Sequence, residues 1–161
     1  MSSPLVFGRA GMAVISIAML AACSTTGRNV VEQACPLTQI AAPSDSIGHS
    51  DGNGTIRYVA TIEQLVSSCR IDENHVAVDL TFDVKAERGP AFEDRPVSLT
   101  YYIATVDPNR EIIDKKLLRV ELELKPAEVQ SVLREELTLH LPISTDATGA
   151  NYNLYLGFQP D

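Results

Sequence analysis

The stretch Val76-Ala77-Val78-Asp79-Leu80-Thr81-Phe82-Asp83-Val84-Lys85 decides the fold, because apolar and polar or small side chains alternate along it without a slip. A period of two is the pleat of a β-strand: Val76, Val78, Leu80, Phe82 and Val84 share one face, and Ala77, Asp79, Thr81, Asp83 and Lys85 the other. A helix would scatter the same residues around its circumference. The pattern predicts a strand buried on one side and wet on the other.

Downstream, Arg88-Gly89-Pro90 breaks this strand, and after Arg95-Pro96 a second run begins. There Val97, Leu99, Tyr101 and Ile103 share one face while Tyr102, Ala104 and Val106 share the other, so both faces are expected to be covered. Asp107-Pro108-Asn109-Arg110 has the Asp and Pro of a type I turn, and Ile112 starts the return strand. The apolar phase jumps by one residue at Leu117-Leu118, which predicts a bulge or a change of sheet. Beyond Lys125-Pro126, Leu133, Leu137, Leu139, Leu141 and Ile143 oppose Arg134, Glu136, Thr138 and His140. Pro142 marks an edge or a strand end. Tyr152, Leu154, Leu156 and Phe158 give the last alternating strand.

Residues 56–69 read two ways. Val59, Ile62, Leu65, Val66 and Cys69 have helical spacing, with Thr61 and Gln64 as a capping box. Ile56, Tyr58, Ala60 and Ile62 alternate instead, among β-branched neighbours, which favours a strand. The sum is an all-β chain, an antiparallel β-sandwich of six to seven strands, immunoglobulin- or fibronectin III-like, behind an N-terminal signal helix.

The composition suits one modest domain: 161 residues, 45% apolar, no Trp and three Cys. Thirteen Lys+Arg against 21 Asp+Glu give −8, and the longest cationic run is Lys115-Lys116, which excludes nucleic acid as a partner.

The N-terminus carries Arg9 ahead of an apolar stretch from Ala10 to Leu20, a signal-peptide h-region. As a helix it spans about 16 Å, roughly half of the ~30 Å hydrocarbon core, too short to cross a bilayer comfortably. Leu20-Ala21-Ala22-Cys23 resembles the lipobox of bacterial lipoproteins. That resemblance implies cleavage between Ala22 and Cys23 and acylation of the Cys23 thiol by diacylglyceryl, with chains such as palmitate. The rival reading is an ordinary secretory signal with an incidental Cys. An unmodified N-terminal thiol would be a reactive group in an oxidising compartment, which favours the lipobox. Two or three acyl chains hold a protein to a membrane far more firmly than one.

The expected organisation is a signal peptide over 1–22, a flexible tether over 23–34 and a β-sandwich domain over 35–161. Ser24 after Cys23 resembles the sorting pattern of outer-membrane lipoproteins. Cleavage removes one Arg and no acid, leaving 12 bases and 21 acids, or −9. Repulsion from the anionic membrane surface then keeps the domain off the bilayer.

With Cys23 acylated, Cys35 and Cys69 form an even pair in an exported domain, and a disulfide is the expectation. A loop of that length stabilises by about 4 kcal/mol. The competing metal site, Cys35, His49, Cys69 and His75, has spacings of 14, 20 and 6 that match no compact ligand pattern, so no metal is expected. His49-Ser50-Asp51-Gly52-Asn53-Gly54-Thr55-Ile56 looks like part of an EF-hand loop, but His49 holds the first ligand position and Ala60 stands where the bidentate Glu belongs. A Gly/Asn-rich turn is the better reading. The three histidines, His49, His75 and His140, are isolated in sequence and lie near a turn, a strand start and an exposed strand face. Ser67-Ser68 and Ser131 sit in no nucleophile motif, and Glu93-Asp94 and Glu135-Glu136 read as solvated surface, so no catalytic residue and no cofactor are expected.

Cys35-Pro36, Cys69, Arg88-Gly89-Pro90-Ala91, Tyr102-Ile103-Ala104-Thr105-Val106-Asp107, Lys115-Lys116, Leu141-Pro142-Ile143 and Gly157-Phe158-Gln159 together are similar to small, uncharacterised envelope lipoproteins of alphaproteobacteria. The resemblance implies an exported, disulfide-stapled β domain and carries no activity. The expected function is a non-enzymatic, membrane-anchored periplasmic lipoprotein that binds an envelope protein or has a structural role; the alternative is a carrier of a small or lipidic ligand between the sheets.

Overall fold

The computed structural model describes residues 35–71, 75–125, 127–142 and 151–160, all within the compact unit Val31–Asp161. The expected signal peptide, the lipobox with Ala22 and Cys23, and the tether up to residue 34 lie outside the described residues, as do Pro126, Ile143 and the turn at 144–149.

Eight strands follow in order: β1 (Leu37–Ile40), β2 (Ser46–Ser50), β3 (Ile56–Ile71), β4 (His75–Arg88), β5 (Val97–Val106), β6 (Ile112–Leu122), β7 (Gln130–Pro142) and β8 (Asn153–Phe158). They form two four-stranded sheets, β1-β8-β5-β6 and β2-β3-β4-β7. Every neighbouring pair is antiparallel except β1 and β8, which run parallel. The fold is an all-β sandwich of eight strands, one or two more than the six to seven expected. The additions are the short β1 and β2, whose sequences send only every second residue partly inward.

β4 behaves as its alternation dictates. Val76, Val78, Leu80, Phe82 and Val84 are buried, and they face Val97, Leu99, Tyr101 and Ile103 of β5 and Leu154, Leu156 and Phe158 of β8 in one cluster. Burying each such side chain contributes about 1.5–3 kcal/mol, so this face carries the stability of the domain. The space between the sheets is filled by Phe82, Tyr101 and Phe158, with Phe82 and Tyr101 edge to face at 5.4 Å.

Residues 56–69 are strand throughout, and the structure explains their helical look. The β3–β4 register steps from Glu63↔Asp83 to Val66↔Thr81, so β3 carries one extra residue, and Gln64 takes a φ of 56°. A bulge of this kind swaps the faces of everything that follows. Ala60 and Ile62 point inward before it, and Cys69 and Ile71 pack against the core after it.

The bulge expected at Leu117-Leu118 is not there. β5 and β6 pair without a break from Val97↔Leu122 to Thr105↔Asp114, and the single shift lies at Thr105/Val106 beside the turn. The phase jump reflects an exposed leucine, Leu117 at 59%, not a backbone irregularity. The turn itself is the expected one: Arg110 N–H donates to the Asp107 carbonyl at 3.0 Å, and Glu111 N–H donates to Asp107 Oδ1 at 2.8 Å. Arg110 at φ 68° completes a type I turn followed by a left-handed residue, a common way to close a hairpin.

Cys35 and Cys69 are joined, with their Cα atoms 5.8 Å apart. The bond ties the residue that leads into β1 of one sheet to β3 of the other. At the opposite end, Gly89 allows the backbones to meet: its N–H donates to the Arg57 carbonyl at 2.7 Å, and a Cβ there would lie 2.2 Å from the Ile56 carbonyl oxygen.

Candidate functional site

Each sheet has two edges, and the longest are β6 and β7. The N-terminal half of β6 is the most exposed part of either. Ile112 to Leu117 are all exposed, and they include three large apolar side chains: Ile112 at 65%, Ile113 at 49% and Leu117 at 59%. Among the described residues β6 pairs with β5 alone, so its outer backbone N–H and C=O groups are open to another strand.

Beside this edge lies a platform on the outer face of the same sheet. Tyr102 pairs with Leu117 on one side and Gly157 on the other. Gly157 is required there, since a Cβ would come within 2.9 Å of the Tyr102 hydroxyl and 2.7 Å of Ser44 Cβ. Lys115 lies back over the Tyr102 ring, Nζ 4.6 Å from its centroid, and donates to Gln159 Oε1 at 2.8 Å. The Tyr102 hydroxyl donates to Ser44 Oγ at 3.4 Å. On the outer face of β5, expected to be covered, Tyr102 is thus covered by Lys115 of β6, with Ser44 and Gln159 from the flanking connections beside it.

β7 is defended differently. Glu135 shares the inward face with Leu133, Leu137 and Leu139, opposite Phe82, and accepts a hydrogen bond from the buried Tyr101 hydroxyl at 2.9 Å. Burial, then the hydrogen bond to Glu135, pushes the Tyr101 phenol well above its ordinary value of 10. Glu135 is therefore half-buried and engaged, whereas the sequence reads it as solvated surface. An inward charge on an edge strand is a recognised guard against unwanted pairing. Sequence reading could have found it: Glu135 interrupts the Leu133-Leu137-Leu139 face in phase.

The outer face of β3, β4 and β7 is a laced ion network. Arg134 grips Asp83 with Nε at 2.8 Å and Nη2 at 3.0 Å, and this hydrogen bonding holds the Asp83 carboxyl below its usual range. Asp79 accepts from Thr138 Oγ1 at 2.6 Å and from the Arg70 guanidinium, which lower its pKa in that order. Lys85 pairs with Glu87, whose hydrogen bond raises the lysine.

Arg88, which the sequence offers only as a strand breaker, fastens the β6–β7 connection. Its guanidinium donates to the carbonyls of Lys125 at 2.9 Å and Glu128 at 3.2 Å, and stacks on Phe92 at 4.5 Å. Next to it an open cleft of ≈ 430 Å³ lies between the ends of β6 and β7, lined by Glu121, Glu123, Lys125, Glu128 and their neighbours.

The histidines are less isolated than the sequence suggests. His49 stacks on Tyr58 with centroids 4.8 Å apart, and His75 lies 5.9 Å from His140. The loop after His49 is a turn: Asp51 Oδ1 accepts from the N–H groups of Asn53 and Thr55, both at 2.8 Å, and Gly54 has a φ of 82°. Cys35 and Cys69 are committed to each other and are not metal thiolates. Among the described residues no group of three or more His, Cys, Asp or Glu is placed to hold a metal ion, and no helix is long and apolar enough to cross a membrane.

Comparison with protein families, with curated proteins and with solved structures found no match. What fold and site define is a class: a disulfide-stapled β-sandwich with one guarded long edge and one open one.

Proposed function

We propose that the chain is a membrane-anchored lipoprotein of the periplasm, held to the outer membrane through acylated Cys23, and that it works without catalysis as a protein-interaction module of the envelope. The observation that carries the interaction reading is the β6 edge, where Ile112, Ile113 and Leu117 stand exposed beside backbone groups that no strand among the described residues pairs. Strand addition uses such an edge, with main-chain hydrogen bonds for affinity and alternate side chains for specificity. The lipobox Leu20-Ala21-Ala22-Cys23 and the Cys35–Cys69 bond support an exported, anchored chain. The packed inter-sheet core, filled by Phe82, Tyr101 and Phe158, favours surface recognition over a ligand carried between the sheets.

The test is crosslinking of intact cells followed by capture of the full chain. The wild type is expected to bring down a reproducible crosslinked species that Leu117→Asp loses while keeping its membrane fractionation. Recovery of nothing from the wild type, or an unchanged species from the variant, would contradict the interaction reading.

A further inference from the structure

We propose that the partner of the β6 edge is a second copy of the same chain, paired antiparallel about a twofold axis through Lys115. The inference rests on the edge being the binding surface, and it comes from reading β6 against itself. In an antiparallel pair the residue numbers facing one another have a constant sum, and directly opposed side chains share a face. With Lys115 on the axis, Ile113 faces Leu117 of the second copy and Asp114 faces its Lys116. Each of these contacts occurs twice by symmetry, as an isologous interface requires.

Three observations suit the β6 segment to this register. Ile113 and Leu117 are two of the exposed large apolar residues, and they are the ones that would cover each other. Asp114 and Lys116 are exposed and form no ion pair among the described residues, so each is available to the other copy. The residue on the axis would normally be a liability, since two lysines meet there. Lys115, however, is turned away from the edge, over the Tyr102 ring and onto Gln159. Moving the axis one residue in either direction, to Asp114 or to Lys116, sets two Asp114 or two Lys116 side chains against each other and loses the Ile113–Leu117 match. Pairing in this way would join the two four-stranded sheets edge to edge as β1-β8-β5-β6 and its mirror order. β7 cannot do the same without burying Glu135 against its own copy, which is why one long edge is open and the other guarded. Anchoring both copies in one membrane raises their effective concentration, so a short interface suffices.

The experiment places a photo-crosslinking benzoylphenylalanine at position 113 of the full chain, with position 132 on β7 as the control, and irradiates intact cells. The expected result is an adduct of twice the chain's mass from position 113 and none from 132. Asp114→Lys should weaken the adduct by about tenfold or more, because two attractive cross-strand pairs become repulsive, and Asp114→Lys combined with Lys116→Asp should restore it. An adduct of some other mass only would overturn self-pairing and leave the edge as a binding surface for a different protein. No adduct at all would overturn both. A dimer adduct indifferent to the charge changes would overturn the register.

Discussion

Replacing Tyr101 by Phe deletes one oxygen and nothing else, and the structure says what that oxygen does. The ring is buried among Phe82 and its neighbours, which Phe preserves, while the hydroxyl donates to Glu135 Oε2 at 2.9 Å. Hydrogen bonds to a charged acceptor contribute about 1.5–3 kcal/mol. Glu135 is only half-buried and can regain water, which places the expected loss near the lower figure, about 1.5 kcal/mol. The pH dependence is a second signature. Because the folded phenol titrates well above its ordinary value of 10, its contribution is intact below that value and is lost as pH rises toward the folded pKa. The unfolded chain releases the proton first, so wild-type stability falls above about pH 10, by up to about 1.4 kcal/mol per pH unit. Urea unfolding of both proteins from pH 7 to 11, followed by circular dichroism, gives the difference curve. With five Tyr and no Trp, absorbance reports phenolate directly, and one tyrosine of the wild type should ionise only as the fold opens. A loss below about 0.5 kcal/mol, where an ordinary hydrogen bond begins, or a difference curve flat to pH 11 would refute the buried pair.

Replacing both Cys35 and Cys69 by Ser opens a cross-link of sequence separation 34, and urea unfolding should register a loss of about 4 kcal/mol; a loss under about 1 kcal/mol would show that the unfolded chain gains little freedom. Arg134→Gln removes the group that holds the Asp83 carboxyl down. A depressed carboxyl contributes stability above its unfolded pKa that disappears as pH falls through the folded one, so the acid decline of the wild type below about pH 4 should be shallower in the variant. Parallel acid limbs would contradict that assignment.

How much of this was legible depended on whether a residue's role was local. β4 needed only its own alternation, and the Asp107-Pro108-Asn109-Arg110 turn needed only its own side chains. Residues 56–69 blurred because a single bulge at Gln64 shifts the inward phase and imitates a helical period. β1 and β2 were invisible for a different reason. Four and five residues with only every second one partly buried carry too little pattern, and β1 is a strand because β8, more than a hundred residues on, supplies its hydrogen bonds. The open edge was half legible. Ile112, Ile113 and Leu117 are plain in the sequence as apolar residues, but only the strand order makes β6 an edge, and the phase break at Leu117 reads locally as a bulge. Arg88 left no signal at all, since its carbonyl partners at Leu124, Lys125 and Glu128 become neighbours through the fold alone.

The account turns on what becomes of Cys23, and the mass of the mature N-terminal peptide from cell membranes measures that directly. The expected peptide begins at Cys23 and carries a diacylglyceryl group, and Cys23→Ser should leave the membrane fraction. A peptide that begins elsewhere, or an unmodified Cys23 on a chain that still sediments with membranes, would contradict the anchor and the function built on it.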